Sequence, residues 1–283
     1  MTALDIRLLG SPLIIWGEEP VHITRRQTRA LLYRLAAQME PMPREHLCFL
    51  FWANSSESDA RRNLSHLLTH LRASLPKADL LYSEDDHITL DRSRAFSDTV
   101  QFVTGCEAYQ RDPQMALLYE LQDLYRGPLL AGFSLPSSPE FEAWLTVEQG
   151  GMERMYLEVL SMLVEEHIRT GAFGDAIQYA EEYLLHNAFD EEMHCRLIEL
   201  YGVIGDRGAA LRQYQHCADT LRRELGLRPS TLTQNAYARV LGGVLSGRSI
   251  QATVDARLSR LCRHKQPHHR HAHLYPRPLR HRV

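Results

Sequence analysis

The chain has 283 residues, 44% of them apolar, and a formal net charge of −3, which leaves room for two cores of ordinary globular composition. No run approaches the ~20 apolar residues of a membrane-spanning helix, and the amino terminus lacks a charged-then-apolar signal pattern, so a cytoplasmic protein is expected. Five cysteines without close pairing (Cys48, Cys106, Cys195, Cys217 and Cys262) argue against a disulfide framework and against a tetrahedral zinc site, and the first four read as small buried apolar residues.

Three short apolar runs open the chain, at residues 4–9, 13–16 and 21–23, separated by turn residues around Gly10-Ser11-Pro12 and Gly17 to Pro20. They predict a small antiparallel sheet. A helix over residues 24–38 follows, with Thr24 as its N-cap and Ala30, Leu31, Leu35 and Ala36 among its apolar positions. Pro41 and Pro43 break the chain before a short helix at residues 44–52 that ends in Trp52. A polar turn over residues 53–59 leads into a helix at 59–75, with Asp59 as its expected N-cap. Residues 80–90 read as two strands about the turn Glu84-Asp85-Asp86.

The helix at 59–75 is the most informative of these. Leu64, Leu67, Leu68 and Leu71 recur at helical spacing and form one stripe for a core. At ~100° per residue the opposite face carries Arg62, His66 and Thr69, flanked by Asn63, Ser65 and His70. Small polar and cationic side chains of this kind can meet base edges and phosphates, although a charged helix face is commonly just solvated. The order of elements decides between the two readings. Three strands, three helices and a hairpin make a winged helix-turn-helix, in which the second helix of the motif enters the major groove and the hairpin approaches the flanking backbone.

From residue 98 onward the chain is dense in helix formers, with helices expected over 98–110, 113–125 and 140–164. Leu163 and Leu197, Gly171 and Gly205, and Ala176 and Ala210 are each 34 residues apart, the period of a tetratricopeptide helix pair. Two such pairs do not bury a continuous core, so the three helices before them are expected to supply the remaining packing surface. The fold class expected is therefore an α+β winged helix-turn-helix domain (residues 1–97) followed by an all-α, tetratricopeptide-like domain (residues 98–245). Residues 246–283 are basic and rich in histidine, and are expected to be disordered.

Charge divides unevenly along the chain. The first domain is close to neutral, the second is strongly acidic and the final segment strongly basic. The acidic domain would repel DNA, so contact with DNA falls to the first domain, whose cations must then be concentrated on one face. Glu84, Asp85 and Asp86 sit badly for a wing that meets phosphates.

The three-strand start, the run from Arg25 to Leu32, the helix end Phe51-Trp52 and the run from Ala60 to Arg72 resemble the amino-terminal domain of transcriptional activators of the Streptomyces-antibiotic-regulatory type. That domain is similar to the DNA-binding domain of winged-helix response regulators. The resemblance continues through Leu124 to Leu130, Phe141 to Trp144, Leu221 to Ser230 and residues 233–241, which look like the bacterial transcriptional activator domain. It covers roughly residues 4–245, and its specificity lies in order and spacing rather than in invariant signatures. It implies a helical domain that mediates dimerisation and communicates with other domains or with the transcription machinery. It also implies contact with RNA polymerase through the turn at Asn54, Ser55, Ser56 and Glu57, although Ala53 and Ser55 to Ser58 replace the Gly and Pro usual there.

The expectation is a sequence-specific DNA-binding activator, acting as two protomers on direct repeats, with double-stranded DNA and RNA polymerase as partners and no cofactor. Arg62, His66 and Thr69 are the central candidates for base contact. Arg61, Asn63, Ser65, His70 and Arg72 are candidates for phosphate or flanking contact. Arg25, Arg26 and Arg29 stand where a phosphate could also reach helix amides. No catalytic motif rises above background: neither lysine, Lys77 or Lys265, follows a glycine, and there is no Gly-x-Ser-x-Gly or His-Glu-x-x-His. The rival is a protein-interaction adaptor whose winged helix no longer binds DNA, kept open by the near-neutral first domain and the acidic wing.

Overall fold

The computed structural model of the chain describes residues 2–243 and 245–264. Strand β1 (Leu4–Arg7) pairs antiparallel with β2 (Leu13–Trp16), which pairs with β3 (Glu19–Pro20). Alternation sets the faces of β1, with Leu4 and Ile6 fully buried and Asp5 and Arg7 turned outward. The third strand lies earlier than residues 21–23, where the sequence placed it. Gly17, at φ +65, closes a two-residue turn with Glu18, so Trp16 already faces Glu19 and the ladder returns before Val21.

Helix α1 (Arg26–Gln38) follows, with Arg25 rather than Thr24 at its N-cap. After β4 (Met42–Pro43) come α2 (Arg44–Trp52) and α3 (Glu57–Ser74). Ser56, not Asp59, caps α3: its hydroxyl accepts the Asp59 amide at 3.2 Å and donates to the Asp59 carboxylate at 2.7 Å. The earlier Ser-x-x-Asp pairing satisfies the first turn reciprocally and moves Asp59 to its third position. Leu64, Leu67, Leu68 and Leu71 are all buried, as their spacing requires. A single 3-10 turn (Ala78–Leu80) precedes β5 (Leu81–Glu84) and β6 (His87–Leu90), a hairpin to which β4 adds a third strand. Strand β7 (Ala95–Ser97) then returns to pair parallel with β1, giving the sheet order β3-β2-β1-β7. The succession of α1, α2, α3 and the hairpin is a winged helix-turn-helix.

Helices α4 (Asp98–Arg111), α5 (Met115–Leu124) and α6 (Pro139–Thr170) complete the elements that follow the wing. The chain forms two compact units, Met1–Leu163 and Val164–Val283. Packing is therefore not divided at 97/98, and the reason is visible in the contacts. The Asp98 carboxylate, 4% exposed, accepts the amides of Leu8 at 2.7 Å and Leu9 at 3.0 Å and pairs with Arg126 at 2.6 Å. Thr99 donates to the carbonyl of Ala37 at the end of α1. Phe141 packs on Phe51, Arg34 lies 4.8 Å over the ring of Trp144, and Tyr125 stacks on Tyr156 at 3.9 Å. These contacts make α4, α5 and most of α6 part of the first core.

The second unit holds the end of α6 with α7 (Phe173–His186), α8 (Glu191–Val203), α9 (Arg207–Leu225), α10 (Thr231–Leu241) and α11 (Gly247–His264). Gly171 and Gly205 take φ +81 and +84 between paired helices, which a side chain would strain. Ala176 and Ala210 are fully buried where helices approach closely. Helices α10 and α11 supply packing surface that the three helices over 98–110, 113–125 and 140–164 were expected to supply: Ala236 and Val240 of α10 pack with α8 and α9, and Ile250 and Val254 of α11 with the end of α6, α7 and α8. Their sequence does not keep the 34-residue period. Disorder from residue 246 is corrected as far as His264: Ile250 and Val254 of α11 join the core of Val164, Ile168, Ala176, Leu197 and Leu200. The histidine-rich tract from Lys265 onward lies outside the described residues.

Burial accounts for the cysteines. Cys48, Cys195 and Cys217 are buried and Cys106 is half-buried, and burial pushes the thiols of Cys106 and Cys217 up to about 12. Such thiols are inert.

Two predictions follow from this packing. Asp98→Ala leaves two strand amides and a guanidinium without their acceptor and should cost roughly 2–4 kcal/mol, read as a lower urea midpoint at unchanged slope. A loss below about 1 kcal/mol would mean that another group holds β1 to α4. In the second unit, burial lowers the pKa of His194, whose Nε2 meets the Ala188 carbonyl at 3.0 Å, and that of His167. The unfolded chain therefore binds protons that the folded unit refuses, beginning at the ordinary histidine value of about 6.5. Stability should be level above that pH and fall below it, with part of the fall removed in His194→Gln. Melting temperatures across pH 8 to 5 check the sign.

Candidate nucleic-acid interface

The candidate site is assembled wholly within the first unit. A cleft of about 670 Å³ is lined by Arg25, Arg26, Gln27 and Thr28 from the start of α1, Trp52 from the end of α2, and Arg62, Asn63, His66, Leu67 and His70 from α3. Two groups of residues predicted separately, the arginines at the start of α1 and one flank of α3, thus share a surface. No acidic side chain lines it.

The buried leucine stripe of α3 fixes which residues can face outward. Arg62, His66 and Thr69 are all exposed, opposite Leu64 and Leu68. The Arg62 guanidinium pairs with Asp59 at 2.7 Å and Arg61 pairs with Glu57 at 3.0 Å, both in solvent. Exposed pairs of this kind contribute about 0–1 kcal/mol and exchange readily for another anion. Thr69 donates its hydroxyl to the carbonyl of Ser65 at 2.9 Å, which leaves its methyl and the oxygen lone pairs for a ligand.

The other flank of α3 is engaged with its neighbours. Ser65 donates to the Arg61 carbonyl and accepts Arg44 of α2 at 3.0 Å. Arg72 donates to the Leu81 carbonyl and to the Ser83 hydroxyl, each at 3.2 Å. Arg72 therefore fixes the hairpin against α3, a positioning role that spacing alone did not reveal. Asn54, Ser55, Ser56 and Glu57 are exposed at the α2–α3 turn, with Ser55 closing it through its amide on the Trp52 carbonyl.

Three features were missed in the sequence. Trp52, at the end of α2, is half-buried and forms a wall of the cleft. Thr28 also borders it. Phe133, from the loop between α5 and α6, lies under Arg26 and Arg29, whose guanidinium carbons stand 5.5 and 5.9 Å from its ring centroid. No local pattern connects Phe133 with Arg26, because the contact forms only in the folded unit.

The acidic wing has a local cause. Asp85 and Asp86 are the two central residues of the hairpin turn, with φ +45 and +63. Aspartate is among the few non-glycine residues that tolerate this region, so backbone geometry favours it there. Asp86 is also 3.7 Å from Arg44. Among the described residues no group of three His, Cys, Asp or Glu side chains is disposed to hold a metal ion, and no helix is long and apolar enough to cross a membrane.

A winged helix-turn-helix joined to tetratricopeptide-like helix pairs is the architecture of a modular transcriptional regulator. The chain belongs to the bacterial transcriptional activator domain family, which matches residues 93–241. Among solved structures it is similar to Mycobacterium tuberculosis EmbR, a structure described in complex with a low-affinity phosphopeptide. That likeness has a TM-score of 0.66 at 20% identity, covers 93% of this chain and 72% of that one, and speaks for the fold. No curated protein matches the chain significantly.

If turn geometry accounts for the aspartates, Asp85→Asn combined with Asp86→Gly should keep the hairpin and raise stability by about 0.5–1 kcal/mol. The 3.7 Å pair with Arg44 is too exposed to reverse that sign. Denaturant unfolding of the double variant tests it, and a net loss would assign the aspartates a larger structural role.

Proposed function

We propose that the protein is a sequence-specific DNA-binding transcriptional activator. Helix α3 enters the major groove with Arg62, His66 and Thr69 toward base edges, and Asn63 and His70 meet phosphate with Arg25 and Arg26. The observation that carries this reading is the cleft itself: three arginines and two histidines on one face of a winged helix, with no carboxylate among its lining residues. The near-neutral charge of the first 97 residues is compatible with it, because Glu57 and Asp59 serve the first turn of α3, Asp85 and Asp86 the hairpin turn, and none of them lines the cleft, Asp59 reaching it only through its exposed pair with Arg62.

The second unit is proposed to pair protomers on direct repeats and to help recruit RNA polymerase, together with the exposed α2–α3 turn. Exposed Leu185 and Phe189 beside the α7–α8 turn, and Leu225, Leu227 and Leu232 about the α9–α10 turn, support a role in protein contact. The two turns are neighbours, since Glu191 accepts the Ser230 amide at 2.7 Å. Isolated exposed leucines are ordinary, but several at one end of a helical stack are more often a contact surface.

Selection of genomic DNA by the full chain at two salt concentrations tests the reading. Enrichment of a short direct repeat is expected, with Arg62→Ala weakening specific binding by about 1–3 kcal/mol while the fold is kept. Unchanged affinity in the folded variant would remove α3 as the reading element. No enrichment at either salt would favour the adaptor function.

A further inference from the structure

We infer that the amino-terminal end of α1 is a seat for one phosphodiester of the DNA backbone and that Phe133 is its positioning residue. The inference rests on the DNA-binding reading above and adds a specific anion site to it.

The start of α1 is built without its own counter-charge. Arg25 at the N-cap is extended, makes no side-chain cap hydrogen bond, and no acidic residue stands in the first turn. The first amides of a helix have no intrahelical acceptor, and the positive end of the helix dipole adds to them. Most helices end this need with a Ser, Thr, Asp or Asn at the N-cap, as Ser56 does for α3. Here the same positions open on the cleft beside Arg62.

Thr28 is an independent observation. It is fully buried, borders the cleft, and its Oγ1 has no hydrogen-bond partner among the described residues. A buried hydroxyl normally finds a partner, and an orphaned one calls for an explanation. It lies on the first turn of α1, beside the amides that have no intrahelical acceptor. A phosphodiester supplies several acceptor oxygens for such a set of donors, together with the negative charge that Arg25, Arg26 and the helix end favour.

Phe133 holds the arginines at this entrance. Its ring is fixed edge-on to Tyr33 at 5.1 Å and to Phe141 at 6.2 Å. Arg26 lies over it and also donates to the Ser134 hydroxyl at 3.1 Å. An exposed arginine otherwise has wide rotamer freedom, which binding would have to remove. The aromatic face removes part of it in advance.

Duplex binding by the full chain, measured against salt for both a selected site and an unrelated sequence, tests the seat. Thr28→Val removes only a hydroxyl that the fold does not use. It should melt no lower than the wild type, yet bind both duplexes about tenfold more weakly, as expected for losing a hydrogen bond to a charged group. Arg26→Gln should reduce the slope of log affinity against log salt by about 1 without altering sequence preference. Phe133→Leu should behave as Arg26→Gln does, and Phe133→Trp, which restores a ring face, as the wild type does. Unchanged affinity in folded Thr28→Val and an unchanged slope in Arg26→Gln, with duplex binding otherwise intact, would overturn the seat alone. Loss of all duplex binding by the wild type would overturn the DNA reading and the seat with it. Inorganic phosphate that raises the melting temperature of the wild type but not of Thr28→Val, without any change in duplex affinity between them, would assign the seat to a free anion and refute the proposal.

Discussion

The carboxylate of Asp98 is the constraint on which the first unit depends. It stands at the first position of α4, directly after β7, and accepts the two strand amides at the end of β1 while Arg126 balances its charge. Burial pushes its pKa up, against the opposing pull of those donors. A charge in that position is tolerated only because three donors surround it, so each donor is in turn fixed by it. One side chain thus sets where the sheet stops, where the helical segment starts, and how the segment around Arg126 returns to β1. The loop that carries Phe133 follows directly, and from it the ring reaches Arg26. The geometry of the cleft is therefore linked to elements whose sequence belongs to the activator-domain family rather than to the winged helix.

This resolves an apparent conflict over where the first domain ends. The family match begins at residue 93, close to the end of the winged helix, whereas packing divides at 163/164. Sequence families record segments that are kept together in order, while contact records what shares a core. The aromatic series Phe51, Phe141 and Trp144, with Tyr125 on Tyr156, makes α6 indispensable to the first core. Rings bury large areas and are seldom left at a separable boundary.

Much of this was legible in the sequence, and the parts that were not have physical reasons. Leu64, Leu67, Leu68 and Leu71 identified α3 and its outward face because burial imposes a period. The glycines at 171 and 205 were legible for a similar reason, each reporting a local backbone rule. Helix ends were less secure, since Ser56 and Asp59 are both good caps and only the backbone of Ser56 is extended. Helix α11 was hidden because it buries only Ile250 and Val254 among its described side chains, within a segment whose composition resembles a solvated tail. Of the site, the residues on α3 were readable and their partners were not. Arg72 on the wing, Trp52 at the cleft and Phe133 beneath Arg26 are tertiary contacts, which no spacing encodes.

Net charge was the weakest guide, and the structure explains why. A domain-wide sum treats every carboxylate as opposed to a polyanion. Here Glu57 and Asp59 lie on the first turn of α3, where they favour its dipole and hold Arg61 and Arg62 by exposed pairs. Asp85 and Asp86 satisfy a turn that demands positive φ. These acids stabilise local backbone at little electrostatic cost in solvent, because screening confines their effect to about 8–10 Å. What matters for an anion is the near field of the cleft lining, which holds Arg25, Arg26 and Arg62 and no acidic side chain. Among the described lining residues Arg62 pairs with a carboxylate, and its side chain is 68% exposed, so giving up Asp59 costs little and leaves the helix cap at Ser56 intact. The arrangement of acids therefore favours the fold without neutralising the face on which the cations are gathered.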